Sequence, residues 1–134
     1  NRLQFDYGKP YEDLLSDIIG ELKESIDKAV DRGLAEDRII IDPGLGFGKN
    51  DAENRLIIKR LWELKSLGKP LLIGASRKLF IGETLGLEAS DRLEGSLAIA
   101  ALSIINGADI IRVHDVGETK RVALMIDAVM ASNG

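Results

Sequence analysis

From Leu14 to Val30 the apolar residues Leu14, Leu15, Ile18, Ile19, Leu22, Ile26, Ala29 and Val30 recur every three or four positions, with Asp, Glu and Lys between them. That period predicts an amphipathic helix, with Pro10 in its opening turn and Gly33 as a left-handed stop. Residues 1–9 carry no such pattern. Arg38-Ile39-Ile40-Ile41-Asp42 is a β-branched run cut off by Pro43-Gly44, as expected of a buried parallel strand. A second helix is predicted from about Ala52 to Leu67 and ended by Gly68-Lys69-Pro70, and Leu71-Leu72-Ile73-Gly74 reads as a second strand. The segment holding Ser76-Arg77-Lys78 reads as a loop. A third helix is expected to start near Ser90 or Asp91, with Glu94 three residues after Asp91 as in a capping box, and to stop at Gly107. Its half from Leu97 to Ile105 is apolar nearly all round, which predicts packing on the sheet on one side and on another helix on the other. Ile110-Ile111-Arg112-Val113 gives a third strand, and Val122, Met125, Ile126, Val129 and Met130 mark a final helix.

The order is thus one helix and then three strand-loop-helix units, the strands' last apolar residues Ile41, Ile73 and Val113 lying 32 and 40 residues apart. Such alternation predicts right-handed βαβ crossovers and a parallel sheet, the α/β class. Three parallel strands leave two open edges, whereas a closed (β/α)8 TIM barrel needs about 250 residues. The 134 residues are therefore expected to form either the C-terminal part of such a barrel or a small open sheet completed by another chain.

Composition narrows the class of function. With 45% hydrophobic and 30% charged residues the chain reads as one soluble globular unit. No apolar run approaches the ~20 residues of a membrane span, and no signal peptide opens the chain, so a cytoplasmic location is expected. The absence of cysteine excludes disulfides, thiolate metal sites and a cysteine nucleophile. Eighteen basic against 22 acidic side chains give a net charge of −4, which offers no general field for nucleic acid or an anionic membrane. An anion would have to be held by a local cluster, and small-molecule chemistry is favoured.

Such a cluster is present at the strand ends. Asp42 follows the first strand, Ser76-Arg77-Lys78 the second, and Arg112 with His114-Asp115 the third, all at the C-terminal rim where parallel α/β sheets bind ligands. The alternative is ordinary charge on surface loops. Asp42 is the sharpest single residue, since a carboxylate ending an apolar strand must be paired, hydrated or reserved for a ligand; it could accept two parallel N–H bonds from an amino-pyrimidine edge, or cap the loop amides of Gly44 or Gly46. The loop Asp42-Pro43-Gly44-Leu45-Gly46-Phe47-Gly48-Lys49 is not a phosphate-binding P-loop: three residues, not four, separate Gly44 from Gly48-Lys49, and Asn50 stands where Ser or Thr would touch Mg²⁺. Its glycines let backbone approach a flat ligand that Phe47 could cover, unless Phe47 is tucked into the core. Arg77, Lys78, Arg112 and His114, the sole histidine, form a cationic rim suited to a phosphate-bearing substrate. Ser76 has no histidine or acid at triad spacing, which argues against nucleophilic catalysis, and no metal-ligand spacing is present.

The segments Asp42-Pro-Gly-Leu-Gly-Phe-Gly-Lys49, Gly74-Ala-Ser-Arg-Lys78 and Ile111-Arg-Val-His-Asp-Val116, in this order and at these separations, strongly resemble the dihydropteroate synthase family. The resemblance runs from about Pro10 to the end and takes in Arg92-Leu-Glu-Gly-Ser96 and Asn106-Gly-Ala-Asp109. On that pattern the chain is a single segment, residues 1–134, running from the helix after barrel strand five through strands six to eight, with the N-terminal strands absent. The resemblance implies a pterin-binding (β/α)8 barrel that condenses 6-hydroxymethyl-7,8-dihydropterin pyrophosphate with 4-aminobenzoate, releasing pyrophosphate, in folate biosynthesis. Carried over by position, it implies that Asp42 holds the pterin's amino-pyrimidine edge and that Lys78 and Arg112 also contact the pterin, with Asp42 and Lys78 as the catalytic pair. Phe47 and Ser76 match the aminobenzoate pocket, and Arg112 and His114 the pyrophosphate site. Ala75 stands where Thr or Met is also common. The family's Mg²⁺, whose protein ligand would lie before this chain starts, and a homodimer formed through C-terminal helices are implied in the same way.

Two other readings compete. One is an inactive barrel fragment that serves only assembly or binding; the chain has no initiator Met, and the length of the natural gene would separate the two. The other is a pterin-binding methyltransferase, which shares barrel and aspartate but has no pyrophosphate to bind, so the Ser76-Arg77-Lys78 and Arg112-Val113-His114 combination argues against it.

Overall fold

The computed structural model describes residues 13–133; the expected opening turn at Pro10 lies outside them. In chain order the helices and strands are α1 (Leu14–Asp31), α2 (Asp51–Lys59), β1 (Leu72–Ile73), α3 (Leu79–Leu85), α4 (Leu93–Ile105), β2 (Ile110–Ile111) and α5 (Val116–Met130), with short 3₁₀ turns at Glu36–Arg38, Leu61–Leu67 and Ala89–Asp91. β1 and β2 pair in parallel, Leu72 against Ile110 and Ile73 against Ile111.

The first predicted strand is corrected. Only Ile41 joins the sheet, as an isolated parallel bridge to Leu71, its N–H donating to Pro70 O at 2.9 Å and its carbonyl accepting from Leu72 N at 2.8 Å. Arg38 winds into a 3₁₀ turn, and Ile40 is 53% exposed. Among the described residues this segment has a sheet neighbour on one side only, so no second ladder extends it. The parallel α/β class stands, with two strands and a bridge in place of three full strands.

Local chemistry explains the helices. Asp13 caps α1, its side chain accepting from Ser16 N, and Leu14, Leu15 and Ile18 face the core. The predicted second helix divides: α2 opens with a reciprocal capping box between Asn50 and Glu53, breaks at Arg60, and continues as a 3₁₀ segment ended by left-handed Gly68. Burial holds this weaker winding in place, because Leu61 and Leu64 are fully enclosed at roughly 1.5–3 kcal/mol each. The loop expected after β1 contains α3, a seven-residue helix ended by Gly86 in the left-handed region. The capping box expected of Asp91 and Glu94 is not formed: α4 starts at Leu93 behind Arg92 with no side-chain cap. Along α4 the buried positions are the small Ser96, Ala100 and Ser103, while Leu102 and Ile105 are each 47% exposed; α4 packs on α2, α3 and α5. Among the described residues no helix is long and apolar enough to cross a membrane.

One core joins Leu15 and Ile18 of α1, Ile57 and Ile58 of α2, Leu61, Leu64, Leu71, Ile73, Phe80 and Ile81. The N-terminal ends of the strands are stapled beneath it. Asp109 accepts from Leu71 N at 2.9 Å and pairs with Lys65, and both contacts hold its carboxyl below the usual carboxylate range, the Lys65 bond more strongly. A depressed carboxyl contributes stability that is present above the ordinary carboxylate value and lost as pH falls through the folded one. Asp109→Asn is therefore expected to lower stability at neutral pH and to flatten its decline with acid below about pH 4, measured by urea unfolding at a series of pH values.

Candidate functional site

The residues singled out at the strand ends converge on one rim. Asp42 is exposed at the end of the Ile41 bridge, and its Oδ1 accepts from Gly44 N at 2.8 Å. It thus does cap the loop, yet a carboxylate offers about four lone-pair sites and this bond takes one. Gly46 N–H instead donates to Asn54 Oδ1 at 2.9 Å. Asn54 is 2% exposed and was not anticipated, although a polar residue three and four positions before Ile57 and Ile58 on the buried face of α2 is a signal the sequence carries.

Between these two anchors Gly44, Gly46 and Gly48 all take positive φ, from 64° to 81°. The loop that results presents Phe47, 49% exposed, so the aromatic ring stays out of the core. Lys49 folds back on the loop, its Nζ donating to Gly44 O at 3.2 Å and Phe47 O at 3.1 Å. That use of the ammonium fits the exclusion of a P-loop.

Lys78 comes from the other side. Its Nζ donates to Leu45 O at 2.6 Å and sits 4.8 Å from the Phe47 ring centroid, a cation–π contact. Burial pulls its ammonium below the ordinary lysine value; the Asp42 carboxylate pushes it back up, and Arg112 and Lys49 pull it further down. Lys78 therefore senses Asp42, Arg112 and Lys49 at once.

Ser76 and Arg77 turn toward the end of β2. Ser76 Oγ accepts from His114 N at 3.1 Å and lies 3.0 Å from His114 Nδ1. The Arg77 guanidinium grips Asp115 through Nε to Oδ2 at 3.1 Å and Nη2 to Oδ1 at 2.6 Å, which holds the Asp115 carboxyl below its usual range. Arg77 itself has φ +54°, the left-handed region. Its N–H donates to Ser96 Oγ at 2.8 Å, and its carbonyl accepts from Arg92 Nη1 at 3.0 Å. Asp115, Ser96 and Arg92 are supporting residues that sequence reasoning did not assign a role; Ser96 could have been flagged as a hydroxyl within an apolar helix.

Arg112 lies across the strand end at Gly74, where a Cβ would meet its Nη2 at 2.6 Å. The guanidinium thus rests against bare backbone, and a side chain at position 74 would displace it. Among the described residues no group of three or more His, Cys, Asp or Glu could hold a metal ion.

A carboxylate, an exposed aromatic ring and a cationic rim thus gather on one edge of a parallel α/β unit, the edge at which such sheets bind ligands. A sequence profile described as pterin binding enzyme matches residues 2–114, and the chain belongs to that family. It is 44% identical over 124 residues to dihydropteroate synthase of Bacillus subtilis, covering 92% of this chain and 44% of that one. It is 36% identical over 126 residues to a Mycobacterium leprae protein named inactive dihydropteroate synthase 2, covering 94% of this chain and 43% of that one. A solved structure of Xanthomonas albilineans dihydropteroate synthase in complex with 7,8-dihydropteroate superimposes with a TM-score of 0.90 at 39% identity, covering 92% of this chain and 48% of that one. The chain spans about half the length of the relatives it matches.

Removing the Asp42 charge takes away the leading influence that supports the Lys78 ammonium. Asp42→Asn is expected to lower the Lys78 pKa further below the ordinary lysine value, measured by NMR titration of the lysine side chains with Lys78→Arg to assign the signal; a rise or no change would separate the two groups.

Proposed function

We propose that this chain is the C-terminal part of a dihydropteroate synthase barrel, and that it supplies the pterin carboxylate and the pyrophosphate site of that enzyme. What supports this is the meeting of Asp42, Lys78, Phe47 and Arg112 at one rim, where the Lys78 ammonium touches the Phe47 ring and feels both Asp42 and Arg112. Asp42 would accept the two N–H groups of the amino-pyrimidine edge. Lys78 and Arg112 would meet the pterin's oxygen and ring nitrogen from the other side. Phe47 would wall the aminobenzoate pocket; Ser76, expected beside it, has its hydroxyl engaged by His114. Arg112 and His114 would hold the pyrophosphate.

In the reaction so assigned, the bond between the pterin methylene and the pyrophosphate oxygen breaks, and the electron pair leaves with pyrophosphate. The positive charge left on the methylene spreads into the ring, where Asp42 stabilises it electrostatically. The amine of 4-aminobenzoate attacks the methylene carbon with its lone pair, forms the new C–N bond and releases a proton to water. The Mg²⁺ implied by the family would neutralise pyrophosphate charge; the described residues supply no ligand cluster for it, and none of these steps runs through it.

We further assign the enzyme to the cytoplasm and to a homodimer. The latter draws on the exposed Leu102 and Ile105 of α4 and Leu124, Met125, Val129 and Met130 of α5, two helices that pack on each other, since large exposed apolar side chains on adjoining elements mark contact surfaces. The resemblance of the chain to an inactive relative keeps one alternative in play, a binding module without turnover.

An anion held by Arg112 and His114 uses only residues of this chain, whereas the complete reaction draws on the remainder of the family's length. The chain alone is expected to bind inorganic pyrophosphate in calorimetry, with Arg112→Ala or His114→Ala weakening binding roughly tenfold, and to form no dihydropteroate from dihydropterin pyrophosphate and 4-aminobenzoate. Activity of the purified chain, abolished by Lys78→Ala, would overturn the division of the site; pyrophosphate binding indifferent to both substitutions would overturn the anion assignment.

A further inference from the structure

Resting on the anion-site reading above, we propose that Ser76 is a positioning residue whose hydroxyl donates to Nδ1 of His114 and fixes the tautomer that carries its proton on Nε2, aimed at the anion. Ser76 Oγ makes two contacts to one residue, accepting from the His114 backbone N–H at 3.1 Å and meeting the ring at 3.0 Å. The hydroxyl keeps a second lone pair and its proton; were Nδ1–H to fill that lone pair, the proton would be left to solvent, whereas donation to Nδ1 gives it an acceptor 3.0 Å away. A neutral imidazole that accepts at Nδ1 must be a donor at Nε2. The backbone contact and the ring contact together set both the position and the orientation of the ring, so the outward N–H is placed without help from the ligand.

The adjoining pair enforces this geometry. Arg77 and Asp115 form a two-bond grip at 3.1 and 2.6 Å immediately beyond Ser76 and His114, and therefore fix the spacing of the two strand ends across which Ser76 reaches. The left-handed backbone of Arg77 lets its neighbours serve two places: Ser76 reaches His114 while Lys78 reaches Leu45 O. In this proposal the Ser76 proton is directed to His114, a role beside the place in the aminobenzoate pocket that its family position implies.

The test uses the single histidine of the chain, whose imidazole nitrogens give an unambiguous signal in ¹⁵N NMR at an alkaline pH that leaves the ring neutral. The wild-type chain is expected to show Nε2 protonated and Nδ1 bare. Ser76→Ala is expected to mix the two tautomers and weaken inorganic pyrophosphate binding roughly fivefold, and Ser76→Thr, which keeps the hydroxyl, to restore both. A proton found on Nδ1 in the wild type would overturn the proposal whether or not any variant folds, as would an unchanged tautomer in Ser76→Ala. The tautomer is read without ligand, so a failure of His114 to bind pyrophosphate would count against the anion site and leave the Ser76 assignment to its own measurement.

Discussion

The rim depends on the backbone of Arg77. A non-glycine residue in the left-handed region costs about 1–2 kcal/mol, and it persists only where its surroundings hold it. Three contacts do so: the N–H to Ser96 Oγ, the carbonyl to Arg92 and the guanidinium to Asp115. The ion pair is partly exposed, so water discounts it. The bond to Ser96 is shielded, since that side chain is buried in α4, and a hydrogen bond there contributes about 1 kcal/mol. The strain is thus offset mainly from α4, which makes that helix part of the site without any of its residues reaching the rim's charges. It also explains the buried serine at position 96, whereas Ser103 returns its hydroxyl to Ile99 O of its own helix at 2.6 Å.

Electrostatics then follow from placement. The chain is acidic overall, yet Lys78, Lys49 and Arg112 share one corner, where Asp42 supports the Lys78 ammonium and Glu21 and Glu53 support that of Lys49. Burial works against the ammonium of Lys78, and its two basic neighbours add to the penalty. Lys49 spends its proton donors on the loop carbonyls of Gly44 and Phe47, so it shapes the loop, whereas Arg112 lies on bare backbone at Gly74. An arriving anion would relieve the repulsion between Lys78 and Arg112, and part of its affinity would come from that relief.

Much of this arrangement is legible in the sequence. Asp42, Lys78, Arg112 and His114 could be placed because an apolar run fixes where a strand ends and hence which side chain emerges at its tip. The run Arg38–Asp42 shows the limit of that signal: β-branched residues favour extended backbone, but a strand also needs a ladder, and here Ile41 alone is bridged, to Leu71. α3 was missed since seven residues with a central Gly82 carry too few periods to stand out from a loop. Asp91 and Glu94 have the spacing of a capping box, but the cap position of α4 is Arg92, one residue past Asp91, and the box that forms is Asn50 with Glu53. Contacts such as Ser76 to His114 join residues 38 apart. No local pattern encodes them.

The two ends of the sheet carry different burdens. At the N-terminal ends Asp109 ties Leu71 N and Lys65 together, and Asn106 Nδ2 donates to Ile58 O at 2.9 Å to fasten α4 to α2. These contacts use satisfied groups, and the positive-φ positions there, Gly68 and Gly107, are glycines. At the C-terminal ends sit the left-handed Arg77 and the half-buried Lys78, each costing stability that the core and the N-terminal staples must offset. Parallel α/β architecture allows this separation because all strands point the same way. Groups gathered at one edge can be held in costly arrangements while the opposite edge keeps the strands in register. The charged groups at the rim are therefore set by the fold before any ligand arrives, so binding energy need not be spent on ordering them.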